Sequence, residues 1–286
     1  MSFGPNPWQQ TSWDWRAAGN FIGGGAGTGL LITGALLTSP DAANAGATRW
    51  LLLLGLALVG LGLLCVWLEI GRPLRALHVF FNPRTSWMSR EAFVALLLFP
   101  AGLLALLGVG GALWATAVLA LAFLYCQSRM LPAALGIPAW RPKLVIPLIF
   151  VTGLCEGCGV FLILGLFLGK VTSSAMILFA LLVLARIAIW TLYRGTVDAS
   201  LAPRARAALN RAGRCLLIVG TLTPVVLLGA SAWLPSGTAQ SLLAAGAGAC
   251  AVFAGAYVKY MLVTRASFNQ GFTLTKIPVR GVRTSP

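Results

Sequence analysis

The residues of this chain best suited to chemistry lie in one connection between two long apolar runs. Glu69 ends the first run and Glu91 begins the next, and the stretch between them carries Arg72, Arg75, Arg84 and Arg90. A site for a lipid-soluble redox carrier needs an apolar slot, a few hydrogen-bond donors and a proton-exchanging group. This connection would supply the polar part of such a pocket. The alternative for Glu91 is simpler, because the dipole at a helix N-terminus favours a carboxylate there.

Ionisable residues inside apolar runs form a second group of candidates, because burying them in a membrane is costly. Glu156 lies within one run, flanked by glycines, and Arg186 lies midway through the next. The two could neutralise each other as a buried pair, or they could serve as a proton relay or ligand site. Lys259 lies about one turn from the end of the last run, where we expect it to snorkel to the interface in a structural role.

The elements that must position these residues are eight apolar runs, each long enough to cross a bilayer as a helix. They cover roughly residues 19–38, 50–70, 92–108, 112–128, 144–168, 172–193, 215–234 and 239–263. Of 286 residues, 58% are hydrophobic and 9% are charged, so the connections leave no room for a soluble domain. The sequence predicts an all-α integral membrane protein with eight transmembrane helices. Its parts are an N-terminal interfacial segment (1–18), the membrane domain (19–263) and a basic C-terminal tail (264–286).

The basic residues are distributed asymmetrically about these runs. When the connections are assigned alternately to the two sides, 17 of the 21 Lys and Arg residues fall on one side. The other side receives only Arg49 and Lys170, and Arg186 and Lys259 lie inside runs. The positive-inside rule therefore places both termini in the cytoplasm. Because the net charge of +15 sits in short loops, it indicates topology and attraction to anionic membrane lipid or an acidic partner rather than nucleic acid.

Composition also limits the redox groups that the chain itself could carry. The only histidine is His78, in a loop, which excludes a haem held by two histidines within the helices. Cys155 and Cys158 have a metal-like spacing, but no second pair completes a ligand set, so we predict no metal in this chain. The Gly-rich stretch Gly23–Gly29 in the first run would permit close approach either of another helix or of a flat ligand.

The connection between the second and third runs resembles a known signature. Its residues match the pattern (His)-Leu-Gly-x-Pro-x-Arg-Ala … Ser-x-Glu at Gly71, Pro73, Arg75, Ala76, Ser89 and Glu91. This signature belongs to membrane subunits of the polysulfide reductase (NrfD) superfamily, in the branch of dimethyl sulfoxide reductase anchors. Two further blocks are similar: the Trp-rich start that leads into Gly23–Gly29, and Tyr125–Arg129 followed by Ile137–Trp140. With its eight-helix plan, the resemblance covers nearly the whole chain.

The resemblance implies a quinone- or quinol-reactive anchor subunit, with menaquinone or ubiquinone as cofactor and no haem. It implies two partners, an iron–sulfur subunit with four clusters and a molybdenum or tungsten pterin catalytic subunit, in a bacterial cytoplasmic membrane. Because the charge pattern turns the motif connection inward, the partners would be cytoplasmic. The substrate could then be a coenzyme A thioester, and the anchors of phenylacetyl-CoA:acceptor oxidoreductases are similar in this respect.

The resemblance also implies roles for particular residues. In the family pattern, a histidine stands where this chain has Glu69, whereas the final glutamate is matched by Glu91. Relatives hold quinone with an Asn and a His one turn apart on the first helix and with a later Tyr; Asn20 and Tyr125 match, but Gly24 stands in place of the His. The expected quinone-binding set is Asn20, Gly24, Glu69, Arg72, Arg75, Glu91 and Tyr125. The expected proton-transfer set is Glu69, Glu91, Glu156 and Arg186, and the expected partner-docking set is Arg84, Trp87, Arg90, Arg129 and Trp140.

Two other functions fit the same sequence. A transporter for a small solute or anion would use Glu156 and Arg186 as a site near the membrane midplane. A passive scaffold would only tether a soluble enzyme, and would contain no quinone.

Overall fold

The computed structural model describes residues 7–38, 45–70, 73–169 and 171–271, and within these ranges it is almost entirely helical. Eight helices there are long and apolar enough to cross a membrane, which confirms the all-α, eight-span prediction. They are α1 (Trp15–Leu37), α2 (Ala45–Glu69), α3 (Trp87–Leu106), α4 (Ala112–Ala133), α5 (Val145–Leu168), α6 (Ser173–Val197), α7 (Pro203–Ala232) and α8 (Thr238–Arg265). A 3₁₀ segment, Pro73–Phe81, precedes α3.

The Gly-rich helix α1 lies at the centre of the bundle and packs against α2, α4, α5 and α8. Its glycines let neighbouring backbones come close, as small residues do between membrane helices. A Cβ on Gly23 would lie 2.7 Å from the Leu58 carbonyl oxygen of α2. On the opposite face, a Cβ on Gly157 of α5 would overlap the backbone of Gly29. At these positions the glycines serve helix packing.

The segment before α1 pairs with the segment after α8. The Gln10 amide donates to the Ser267 carbonyl at 3.0 Å, and the Asn269 amide donates to the Trp8 carbonyl at 3.0 Å. Trp8 N in turn donates to Oδ1 of Asn269 at 3.0 Å. The segments that flank the bundle, residues 8–10 and 267–269, are therefore hydrogen-bonded to each other, and α1 begins where α8 ends.

Several helices begin or end beyond the predicted apolar runs, and most of these extensions lie at the end of the bundle where α1 begins; α2, which begins at Ala45 instead of residue 50, is extended at the opposite end. Helix α3 begins at Trp87, capped by Ser86, whose hydroxyl accepts from the Ser89 amide at 3.3 Å. Glu91 thus lies in the second helical turn, not at the helix start. Helix α7 begins at Pro203 instead of residue 215, because residues 203–214 form an amphipathic helix whose buried face is Ala205, Ala208, Leu209 and Ala212. Hydropathy alone detects only the apolar remainder.

Helix α7 contains one wide turn, the π-helical stretch Ile218–Leu222. Pro224 follows it and has no amide hydrogen to donate to the carbonyl of Gly220, four residues earlier. Arg186 of α6 donates to that carbonyl instead, with 2.6 Å between Nη2 and the oxygen. A buried arginine therefore satisfies a backbone group that the proline leaves open.

Candidate functional site

A cluster of three buried polar side chains joins α1, α3 and α4. Asn20 Nδ2 and Gln127 Nε2 both lie 3.4 Å from Oε1 of Glu91. Gln127 Nε2 also donates to the main-chain carbonyl of Asn20 at 2.9 Å. The exposed fractions of Asn20, Gln127 and Glu91 are 3%, 0% and 4%. Such a cluster is costly in an apolar bundle unless its polar groups are used.

Two acceptors of this cluster have no donor among the described residues. They are Oδ1 of Asn20 and Oε1 of Gln127, and both atoms are buried. A buried acceptor without a donor is uncommon in folded proteins and usually marks a water, ion or ligand contact. The cluster therefore has unused hydrogen-bonding capacity directed into the protein.

Gly24 lets Gln127 reach this position. A Cβ on Gly24 would collide with Nε2 of Gln127 and would lie 3.0 Å from the Phe123 ring. Gly24 was expected to contact quinone. The structure instead shows it contacting the amide of Gln127, so any effect on a ligand would pass through that side chain.

Two cavities meet at this cluster. The first has a volume of about 220 Å³ and is lined by Trp13, Ala17, Asn20, Phe21, Val66, Glu69, Ile70, Met88 and Met130. The second has a volume of about 490 Å³ and is lined by Leu63, Val66, Trp67, Ile70, Ala76, Leu77, Val79, Phe80, Met88, Glu91 and Ala92. They share Val66, Ile70 and Met88. Apart from Glu91, the second cavity is apolar, and so is suited to a hydrocarbon group.

Glu69 lines the first cavity and is half-buried at the end of α2. Nearby, Arg16 donates to the Leu68 carbonyl at 2.8 Å and forms an ion pair with Asp14 at 2.9 Å. The Arg16 side chain holds the pKa of the Asp14 carboxyl below its usual value. The Arg16 guanidinium is thus paired with Asp14 and not with Glu69. The Glu69 carboxylate makes no hydrogen bond or salt bridge to the residues that the structure describes.

The other expected quinone-binding residues are not brought into this site. Arg72 lies outside the described residues. Arg75 is exposed and lines neither cavity. Tyr125 is 43% exposed and also lines neither cavity; its ring meets Trp87 edge-on, with centroids 5.8 Å apart. Gln127 lies in the same Tyr125–Arg129 block and was not among the expected site residues, but its side chain contacts Asn20 and Glu91.

The expected docking residues divide into two groups. Trp87 lies between two guanidinium groups, those of Arg90 at 4.1 Å and Arg129 at 4.7 Å from its ring centroid. Arg90 also donates to the carbonyl of Arg84 at 2.7 Å, which ties the loop to the start of α3. These four residues form a basic, aromatic surface group at the end of the bundle where the chain ends meet.

Trp140 does not belong to that surface, so its assignment to partner docking is wrong. It is 2% exposed, and its indole Nε1 donates to the Leu262 carbonyl at 2.8 Å. Its ring packs against Trp13, with centroids 5.1 Å apart. Trp140 fastens the end of α8 to the segment before α1.

A buried ion pair lies on the opposite face of α1. Lys259 Nζ is 2.6 Å from Oε2 of Glu156 and 2.7 Å from the carbonyl oxygen of Phe21, and both ionisable side chains have no exposed surface. The prediction that Glu156 pairs with Arg186 is therefore wrong, because Lys259 occupies the carboxylate. The prediction that Lys259 snorkels is wrong as well, because its ammonium group points into the bundle towards α1 and α5.

Arg186 is also wholly buried, but it is held by carbonyl groups. Nη1 donates to Ala251 at 2.9 Å and Nη2 to Gly220 at 2.6 Å. Glu156 and Arg186 thus belong to two separate arrangements, although Oε1 of Glu156 and Nε of Arg186 are buried without a hydrogen-bond partner among the described residues. This weakens the transporter alternative, which needs a free carboxylate and a free cation at the midplane.

No known protein-family model matches this chain, and no curated protein is significantly similar to it. In the part of the chain that the structure describes, no group of three His, Cys, Asp or Glu side chains is placed to hold a metal ion. The function must therefore be inferred from the site itself.

Proposed function

We propose that this protein is a quinone- or quinol-reactive membrane anchor subunit. It passes electrons between an iron–sulfur partner and the membrane quinone pool. One observation carries the proposal: the buried Glu91–Asn20–Gln127 cluster lies where two cavities meet, close to one end of the bundle. The resemblance of the connection around Glu69 and Glu91 to anchor subunits is the second support.

The chemistry of the cluster suits a quinone ring. Asn20 lines the smaller cavity, so its Nδ2 can donate to a ring carbonyl, and its buried Oδ1, which has no donor among the described residues, can accept from the hydroxyl of a quinol. Gln127 lines neither cavity and positions Asn20 and Glu91 through its own contacts. The apolar cavity of about 490 Å³ suits the hydrocarbon tail. When bound, a quinone supplies two-electron, two-proton redox chemistry. The residues of this chain bind and orient the ring and exclude water from it.

Glu91 and Glu69 are the residues that exchange protons in this scheme. Glu91 lines the larger cavity and contacts the Asn20 amide that would hold the ring, so it exchanges a proton with a ring oxygen. Glu69 lines the smaller cavity, half-buried at the end of α2, and exchanges protons with water. Asn20 lies between them because it lines the smaller cavity and contacts Glu91. Glu156 and Arg186 have no step in this scheme.

The partner proteins dock at the end of the bundle that carries most of the basic residues. Trp87, Arg90, Arg129 and Arg84 form the surface group there, and this group directly adjoins the start of α3 and hence Glu91. By the positive-inside rule this face is cytoplasmic, and the resemblance to anchor subunits implies the inner membrane of a bacterium. An iron–sulfur subunit with four clusters would contact this face and connect it to a molybdenum or tungsten pterin enzyme.

The test begins with gentle purification from the native membrane, identification of co-purifying subunits by mass spectrometry, and extraction of quinone. The decisive comparison is quinone-linked turnover of the intact complex carrying Glu91→Gln. We expect a loss of at least about tenfold, because a general acid–base group typically contributes about 10²–10⁴-fold. The control is Asp198→Asn, which removes a carboxylate at the end of α6 that lines neither cavity, and which should leave turnover nearly unchanged. Unchanged turnover in Glu91→Gln, or a chain that purifies with neither quinone nor a redox partner, contradicts the proposal.

A further inference from the structure

A second site is formed by a groove between α6 and α7, on the side of the bundle away from the quinone cavities. It has a volume of about 480 Å³ and is lined by Trp190, Arg194, Leu209, Asn210, Gly213, Arg214 and Leu217. No step of the proposed electron transfer uses these residues. The groove therefore needs an account of its own.

The polar lining of the groove consists of donors that lack acceptors. Nη1 of Arg194 is buried and has no partner in the described structure. Neither the Arg214 guanidinium nor the Trp190 indole N–H has an acceptor within the described ranges. Asn210 uses its Oδ1 to accept from Arg194 at 2.8 Å, so its amide nitrogen is left as a donor. Converging donors with two positive charges describe an anion site.

The acid closest to the groove does not fill this role. Asp198 is ion-paired with Arg194 through Nη2, and it also lies 3.7 Å from Nε of Arg206. Two arginines thus share one carboxylate, which leaves positive charge in excess. The pairing with Asp198 and the bond to Asn210 hold the Arg194 side chain in place with its Nη1 unused.

The other end of the groove is apolar, and its depth matches the membrane interface. Leu217 is 45% exposed there, and Leu209 and the Trp190 ring complete the wall. Arg194 stands about 5 Å, and Trp190 about 10 Å, from the end of α6 along the helix axis. With α6 centred in a hydrocarbon core about 30 Å thick, this is the depth at which lipid headgroups give way to hydrocarbon. A ligand that fits both ends carries an anionic group and an acyl chain.

We propose that the α6–α7 groove binds an anionic phospholipid, with its phosphate held by Arg194, Arg214 and the Trp190 indole N–H and its acyl chain lying along Leu217. Arg214 supplies a guanidinium free to form two parallel bonds with phosphate oxygens. The chemistry at the polar end would suit any phosphate. The exposed apolar end at bilayer depth is what favours a lipid over a soluble anion.

The test uses the full-length protein purified in neutral detergent, with phosphatidylglycerol, phosphatidylcholine or inorganic phosphate as probes. Native mass spectrometry measures how much of each lipid is retained. We expect phosphatidylglycerol to be retained in preference to phosphatidylcholine, and Arg214→Gln to weaken that retention about tenfold, as loss of a charge-assisted hydrogen bond should. Arg204→Gln is the matched control, since Arg204 is an exposed arginine of the same helix that does not line the groove.

A second variant tests the buried side of the site, since Arg214 lies at its surface. Trp190→Phe keeps the ring but removes the N–H, and it should also reduce retention of phosphatidylglycerol. Equal effects of Arg204→Gln and Arg214→Gln would overturn the proposal, because they would show only diffuse attraction between charges. Displacement of the lipid by millimolar inorganic phosphate would overturn it in favour of a soluble anion. Retention unaffected by both groove variants would overturn it too, and would leave the groove as a surface for a protein partner.

Discussion

Lys259 on α8 meets Glu156 on α5 with 2.6 Å between Nζ and Oε2, and the same ammonium group donates to the Phe21 carbonyl of α1 at 2.7 Å. One lysine therefore connects three helices inside the bundle. Gly25 makes room for it, because a Cβ at that position would collide with Nζ. The pair fixes how far each of these helices can slide or rotate relative to the others.

Removing Lys259 alone should be severely destabilising. Lys259→Met leaves the Glu156 carboxylate buried without its partner, and breaking such a pair typically costs about 3–5 kcal/mol. Thermal or denaturant unfolding in detergent would measure the loss. In the double variant Glu156→Gln/Lys259→Met no charge is left unpaired, so much of the stability should return. A double variant as unstable as the single one would contradict this account.

Helix α5 should tolerate no side chain at Gly157. A Cβ there would overlap the backbone of Gly29 and Leu30, which cannot move without separating α5 from α1. We expect Gly157→Ala to lower the free energy of unfolding by about 1–3 kcal/mol or more, the usual range for overpacking. Gly195→Ala is the control, because nothing lies within 4 Å of a Cβ at that position. Equal stability of the two variants would show that α1 and α5 are not packed as described.

Arg186 and Pro224 should be energetically coupled through the Gly220 carbonyl. Arg186→Met removes the donor to the Gly220 carbonyl, which Pro224 leaves without a helical partner. In a Pro224→Ala background the new amide can donate to that carbonyl, so the same substitution should cost less. A double-mutant cycle on unfolding free energies should give a coupling of about 1 kcal/mol. Additive effects would mean that the two residues act independently.

Gly24→Ala should impair the quinone site without touching the ligand. The added methyl group would displace the Gln127 amide from Glu91 and from the Asn20 carbonyl. We expect the KM for quinol in the intact complex to rise by about tenfold, the effect of losing a hydrogen bond to a buried charged group. Gly60→Ala is the matched control, since its Cβ would meet only the Phe99 ring at 3.8 Å. An equal KM in both variants would contradict the role given to Gln127.

The orientation of the bundle can be measured with fusions. A fluorescent protein joined after residue 286 should fluoresce, because it would remain in the cytoplasm, whereas alkaline phosphatase at the same place should be inactive. Phosphatase inserted in the turn at 107–111, at the opposite end of the bundle, should be active. The reverse pattern would place the motif connection and its partners outside the cell.

Hydropathy and charge were enough to predict eight helices, but the polar ends of those helices escaped them. The first turns of α3 and α7 carry arginines and tryptophan, so they look like loop in a hydropathy reading although they are helical. Glu91 was consequently placed at a helix start, where a dipole could account for it. Its position one turn further in, facing Asn20, depends on the Ser86 cap and on how α3 is rotated against α1.

Partner choice inside the bundle was harder to predict, because it depends on which helices are neighbours. Glu156 and Arg186 lie on consecutive helices and seemed natural partners, yet α5 packs against α8 through Gly159 and Gly248, and this brings Lys259 within reach. Arg186 donates to the Gly220 carbonyl, which is available because Pro224 has no amide hydrogen to donate to it. For Gln127 a signal was present, since an amide inside an apolar run, even near its end, needs a partner when it is buried.

The central position of α1 has a consequence for how the protein is made. Synthesis delivers α1 to the membrane before the helices that pack on it, so its glycine faces are covered only when α2, α4, α5 and finally α8 have followed. Until then Glu156 has no lysine, and the strand-like contact between residues 8–10 and 267–269 cannot form. The packing around α1 is thus completed by α8, and a chain cut short before Lys259 should stay open and be recognised by the cell's membrane proteases.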